Sequence, residues 1–78
     1  MEPLIGQIQL FPYTFAPRYW AACDGAILQI AQNTALFSLL GVNFGGDGRT
    51  TFALPKLEGP AANVGYFIAL TGVYPSRD

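Results

Sequence analysis

Residues 32–55 read QNTALFSLLGVNFGGDGRTTFALP, and the order of patterns inside this stretch decides the fold. Leu36, Leu39 and Leu40 share a helical face, with Phe37 beside it, so the spacing predicts one short helix ending near Leu40. Asn33 or Thr34 can cap its start. Gly41 stands where a helix gives way to a glycine, and Val42 can supply the hydrophobic contact that follows. Two turns of helix are unstable alone, so this one must dock on strands. Gly45, Gly46, Asp47, Gly48, Arg49 and Thr50 form a shaped loop. Residues 51–54 then read as a short strand stopped by Pro55.

Upstream, residues 4–11 read as a strand. Leu4, Ile8 and Leu10 fall on one face and Gln7 and Gln9 on the other, and Pro12 ends the run. Residues 13–17 are an aromatic-rich connection. Residues 19–23 and 26–30 are two more strand candidates. Asp24-Gly25 between them is a strong hairpin signal, because a tight turn needs positive φ. Downstream, residues 56–63 are turn-rich. Residues 66–74 read as a strand apolar on both faces, with Phe67, Ala69 and Val73 alternating with Ile68, Leu70 and Tyr74. Gly72 inside that run signals a bulge or a close backbone approach. Residues 75–78 form a short polar tail. The whole chain, 1–78, reads as a single domain: a β-rich α+β fold with about five short strands, one hairpin and one helix. The first and last strands are expected to be neighbours or edges.

Composition narrows the function. Of 78 residues, 51% are hydrophobic and 12% charged, against about 25% charged in an average domain. A domain this small buries only about 60% of its unfolded surface. Much of the apolar surface must therefore meet water or a partner, and large exposed apolar area marks interaction sites. The formal net charge of -1 offers no basic footprint for nucleic acid. No stretch approaches the roughly 20 apolar residues of a membrane helix. Residues 1–3 lack the basic start of a signal peptide, so no readable signal peptide is expected.

Chemistry finds little purchase. There is no histidine and one cysteine, Cys23, which excludes most transition-metal sites and a Ser–His nucleophile. Cys23 reads as a small buried hydrophobe. The five acids are scattered, so paired carboxylates are not indicated. The glycine loop runs from helix to strand, whereas a phosphate loop runs from strand to helix and carries Lys after its last glycine. Its expected role is structural: Asp47 accepts backbone hydrogen bonds, and Arg49 pairs with an acid such as Asp24. No cofactor and no enzymatic activity are expected. Trp20 reads either as a large core side chain or as a ligand-stacking ring.

These motifs carry a resemblance. The run from Trp20 with Cys23-Asp24-Gly25, through Asn33 to Phe37, Gly41, Phe44, Gly45 to Gly48, Thr51-Phe52 and Leu54-Pro55, resembles the collar domain of phage tail fibres. The bacterial microcystin-dependent proteins share that domain. Ile5 to Ile8 and Tyr66 to Leu70 also fit, as do Pro17-Arg18 and Pro75 to Arg77. Two features depart from the pattern. Lys56-Leu57-Glu58-Gly59-Pro60 replaces the family's Asp-Leu-Arg-Gly-Arg, and the long Gly-, Ser- and His-containing region that usually follows is missing. The metal-binding histidines of tail-fibre tips therefore have no counterpart here.

The resemblance implies a non-enzymatic structural protein of an extracellular appendage or a virion tail. The uncharged strands at the two ends of the chain motivate self-assembly by strand addition into a filament or ring. The expected interface is Ile5, Ile8 and Leu10 with Phe67, Ile68, Leu70, Val73 and Tyr74. A second reading is a module for a cell-surface receptor or glycan, in which Tyr13, Phe15, Tyr19 and Trp20 form an aromatic patch.

Overall fold

The computed structural model describes residues 2–76; Met1, Arg77 and Asp78, the last two closing the polar tail, lie outside the described residues. Five strands and one helix follow one another as β1 (Ile8–Phe11), β2 (Trp20–Ala22), β3 (Ile27–Gln29), α1 (Thr34–Leu40), β4 (Thr51–Ala53) and β5 (Gly65–Ala69). A 3-10 turn, Ile30–Gln32, joins β3 to the helix. The fold is β-rich α+β, as expected.

The strands form two small antiparallel sheets, one ordered β1-β5-β2 and the other β3-β4. Ile8 lies opposite Ile68, and Ala21 lies opposite Ile68 from the other side. The last strand is thus the centre of its sheet. That position explains its composition, since a strand flanked on both sides and covered on both faces is apolar throughout. The first strand is its neighbour and forms an edge.

The main core lies where α1 and β4 pack on one face of the larger sheet. Leu36, Phe52, Leu54, Ile68 and Cys23 are buried there, with Phe37, Leu40, Tyr66 and Leu70 packed around them. The other face of β5 carries Phe67 and Ala69, also buried, under a separate layer of aromatic side chains.

Four details differ from the sequence reading. Asp24-Gly25 is not a hairpin turn. It is a corner where the chain leaves one sheet for the other, since β2 pairs with β5 and β3 with β4. Gly25 still holds a φ of 82°, and the Asp24 carboxylate accepts the Ala26 N–H at 3.0 Å, so the turn chemistry serves a different connection. Residues 4–11 are not one strand, because Gly6 turns the chain with a φ of 84°. Before the turn, Leu4 bridges to Val73 in parallel, and the Ile5 N–H donates to the Val73 carbonyl. Residues 66–74 stop being a strand after Ala69. Beyond it Gly72, at φ 145°, passes so close to the Pro3 carbonyl that a Cβ would sit 2.2 Å from its oxygen; this is the close approach its position signalled.

Finally, the helix turns a different stripe inward. Leu36 is buried and Phe37 lies 5.4 Å from the Phe52 ring, whereas Leu39 is exposed. A helix of two turns on a small core buries a narrow face, and the larger ring of Phe37 fills it. Asn33 occupies the N-cap position, but its side chain reaches back to the Gln29 carbonyl instead of capping.

Candidate functional site

The glycine loop is tied inward. Asp47 Oδ1 accepts the backbone N–H groups of Arg49 (2.8 Å), Thr50 (2.8 Å) and Thr51 (3.0 Å), and Oδ2 accepts the Thr50 hydroxyl at 2.9 Å. These bonds hold the carboxyl well below the usual carboxylate range, the Thr51, Thr50 and Arg49 N–H groups contributing most. An anion cradle needs converging N–H groups; here a carboxylate of the chain itself occupies them. Gly46 lies against β4, where a Cβ would come within 2.3 Å of the Phe52 Cα. Gly45 accepts the Ala53 N–H, and Gly48 donates to Thr51. Gly41, just past the helix, donates to the Phe37 carbonyl at 2.7 Å. Arg49 enters the loop through its backbone N–H and the Asp24 carboxylate accepts from Ala26; the ion pair expected between them is not among the contacts of the described residues.

Cys23 is buried, and burial pushes its thiol up to about 11, with the Asp24 charge adding to the shift. It is a core side chain and a poor nucleophile at neutral pH. No group of three or more metal-ligating side chains gathers among the described residues.

The expected assembly residues divide sharply. Phe67 and Ile68 are buried inside the monomer, and Ile5 and Leu70 pack against the core. Phe67 and Ile68 are closed to another copy while the fold is intact, because the strand that carries them is central, not terminal; Ile5 and Leu70, partly buried, lie beside it. Ile8 and Leu10 remain 41% and 40% exposed, and Val73 and Tyr74 are half exposed. Tyr74 reaches α1 through its hydroxyl, 2.7 Å from Ser38 Oγ.

Backbone geometry at β1 adds what side-chain patterns cannot show. Antiparallel ladders alternate inward and outward pairing. The Ala69 N–H donates to the Gln7 carbonyl, so Gln7, Gln9 and Phe11 pair with β5. The N–H and C=O groups of Ile8 and Leu10 therefore face the open edge. At β3 the same alternation turns Ala26, Leu28 and Ile30 toward β4 and leaves Ile27 facing out, its side chain 58% exposed. The other two edges are blunted. On β2, Trp20 N–H donates to Pro17 and the Ala22 carbonyl accepts from Asp24, while Gly45 covers β4.

The aromatic residues form a row. Phe11 packs on Phe67 (5.7 Å) and edge-on against Trp20 (5.1 Å); Tyr13 stacks on Phe11 (5.4 Å), and Phe15 stacks on Tyr13 (4.7 Å). The row runs from the buried Phe67 to the exposed Phe15. Trp20 is half-buried within it, one edge packed on Phe11. Tyr19 stands apart, exposed, with the Arg18 guanidinium 4.8 Å from its ring centre. Beyond Trp20 lies a small cleft lined by Glu2, Pro3, Gln7, Gln9 and Trp20. The two glutamines are the polar face that the alternation of residues 4–11 predicts, and their i, i+2 spacing places both at the cleft.

The family model of the Phage Tail Collar Domain matches residues 6–62. No curated protein and no solved structure matches the chain.

Proposed function

The chain belongs to the phage tail collar domain family, a structural family of tail fibres, and we propose that it is a non-enzymatic assembly module whose copies join through free strand edges into a filament or ring of a virion tail or similar extracellular appendage. The observation that carries this reading is the open edge of β1, where the outward backbone groups of Ile8 and Leu10 coincide with their half-exposed side chains. Strand addition there satisfies hydrogen bonds and covers apolar surface in one contact.

Two features support it. The folded chain exposes 5298 Å², whereas a monomer of this mass typically exposes about 4,600 Å². The molecule also carries two different free edges, β1 and β3. Pairing β1 of one copy with β3 of the next is a heterologous contact, which propagates into a fibre or closes into a ring. Pairing β1 with β1 stops at a dimer.

Size-exclusion chromatography with light scattering at low micromolar concentration tests the proposal. The expected result is an assembly larger than a dimer, dispersed by Leu10→Lys and equally by Ile27→Lys, since a charge on an edge strand blocks pairing. A monodisperse monomer sinks the reading. A dimer insensitive to Ile27→Lys sinks its head-to-tail form.

A further inference from the structure

We infer that the cleft between Trp20 and the Gln7–Gln9 pair is a binding site for a neutral sugar ring. The cleft holds about 300 Å³, at the lower end of the roughly 300–1,000 Å³ of ligand sites, so it suits one ring more than a chain. Its lining combines what a sugar needs. The Trp20 indole and the Pro3 ring give apolar surface for the C–H face. Glutamine amides and a carboxylate, Glu2, supply donors and acceptors for hydroxyl groups.

The polar groups are set in advance. Gln7 Oε1 accepts the Leu4 N–H at 3.1 Å, and Gln7 Nε2 donates to Gln9 Oε1 at 3.1 Å. Both amide orientations follow from this chain of bonds. The Gln9 NH2 group is left with no bond among the described residues, as is the Trp20 indole N–H. Trp20 is itself held edge-on by Phe11, which limits the entropy lost when a ligand binds. Gln9 and Trp20 stand on the same face of the β1-β5-β2 sheet, opposite Phe67 and Ala69 respectively. Phe11, Tyr13 and Phe15 stack beside the cleft, outside its lining. Among the described residues the lining has one carboxylate and no cationic side chain, so it disfavours acidic sugars. The site lies on a face of the sheet and not on its edge, so it stands whether or not copies assemble through β1.

Titration of the full chain by two-dimensional 15N–1H NMR tests this inference, with glucose, galactose, mannose and N-acetylglucosamine as probes and N-acetylneuraminic acid as the anionic control. The expected result is a saturable shift of the Trp20 indole N–H and the Gln9 side-chain amide with at least one neutral sugar, and none with the acid. Gln9→Ala, at an exposed position, is expected to weaken binding about tenfold while leaving the backbone spectrum dispersed. Trp20→Phe keeps a ring against Phe11 and removes the indole donor; it is expected to weaken binding similarly. The inference is overturned if no neutral sugar shifts these two signals, if the acid shifts them equally, or if Gln9→Ala binds as the parent does.

Discussion

Tyr19 holds a φ of 69°, a region that non-glycine residues enter at a cost of about 1–2 kcal/mol. It is the third residue of a turn closed by the Trp20 N–H on the Pro17 carbonyl, and its own carbonyl accepts the Leu70 N–H. Glycine fits such a position without strain. Tyr19→Gly is therefore expected to stabilise the fold by up to about 1 kcal/mol, read as a higher midpoint in urea. A midpoint that falls shows instead that the ring, with Arg18 over it, contributes more than the strain removes. Cys23 gives a second test at this scale. Its thiol titrates near 9 when unfolded and near 11 in the fold. The raised value means the fold favours the neutral thiol, so its contribution is fully present below pH 9 and is lost as pH rises toward 11. Unfolding titrations should show stability falling across that window in the parent and less so in Cys23→Ala. An equal fall in both places the alkaline loss elsewhere.

Elements show what was legible in the chain and what was not. All five strands, the helix and the turns at Gly25 and Gly41 could be placed from period, caps and stops, because those signals are local, although two strands fall well short of their patterns, one of them cut by the turn at Gly6. Pairing is not local. Asp24-Gly25 has the chemistry of a hairpin turn, yet the strands it joins pair with β5 and β4, whose attraction for them is set by the packed core. The candidate assembly surface suffered in the same way: an apolar strand looks identical whether it waits for a partner chain or already sits between β1 and β2. In the glycine loop the hydrogen bonds expected of Asp47 are present, since an Asp followed by small and polar residues marks its own backbone partners. Its docking against β4 supplies a sharp prediction. Gly46→Ala adds a Cβ that meets the Phe52 Cα at 2.3 Å and the Thr51 oxygen at 2.7 Å, both backbone atoms that cannot swing aside. With the φ of 95° added, a loss of about 3 kcal/mol or more is expected by chemical denaturation. Asp47→Asn keeps one acceptor oxygen and loses the charge, so it is expected to melt lower at pH 7. Because the folded carboxyl sits below its ordinary range, the parent's advantage persists through pH 4 and shrinks only in stronger acid.

The whole molecule is closed by a strand that the family match does not include. The match ends at residue 62, while β5 begins at Gly65 and supplies Phe67, Ile68 and Ala69, all buried, to both faces of the larger sheet. Without β5, β1 and β2 have no partner, and Leu36, Phe52 and Leu54 lose the side chain that faces them. Removing a buried Ile or Phe side chain alone costs about 2–5 kcal/mol, and a small domain has only about 5–15 kcal/mol in total. A chain ending at Ala62 is therefore expected not to fold: no cooperative thermal transition and no dispersed amide spectrum. Ile68→Ala in the full chain is expected to lose about 2–5 kcal/mol and still fold. Adding a peptide of residues 63–76 to the truncated chain should restore the dispersed spectrum, because a strand between two free edges gains hydrogen bonds on both sides and burial on both faces. A truncated chain that melts cooperatively by itself would show that α1, β3 and β4 hold the core alone, and that β5 is an addition to the fold and not its closing piece.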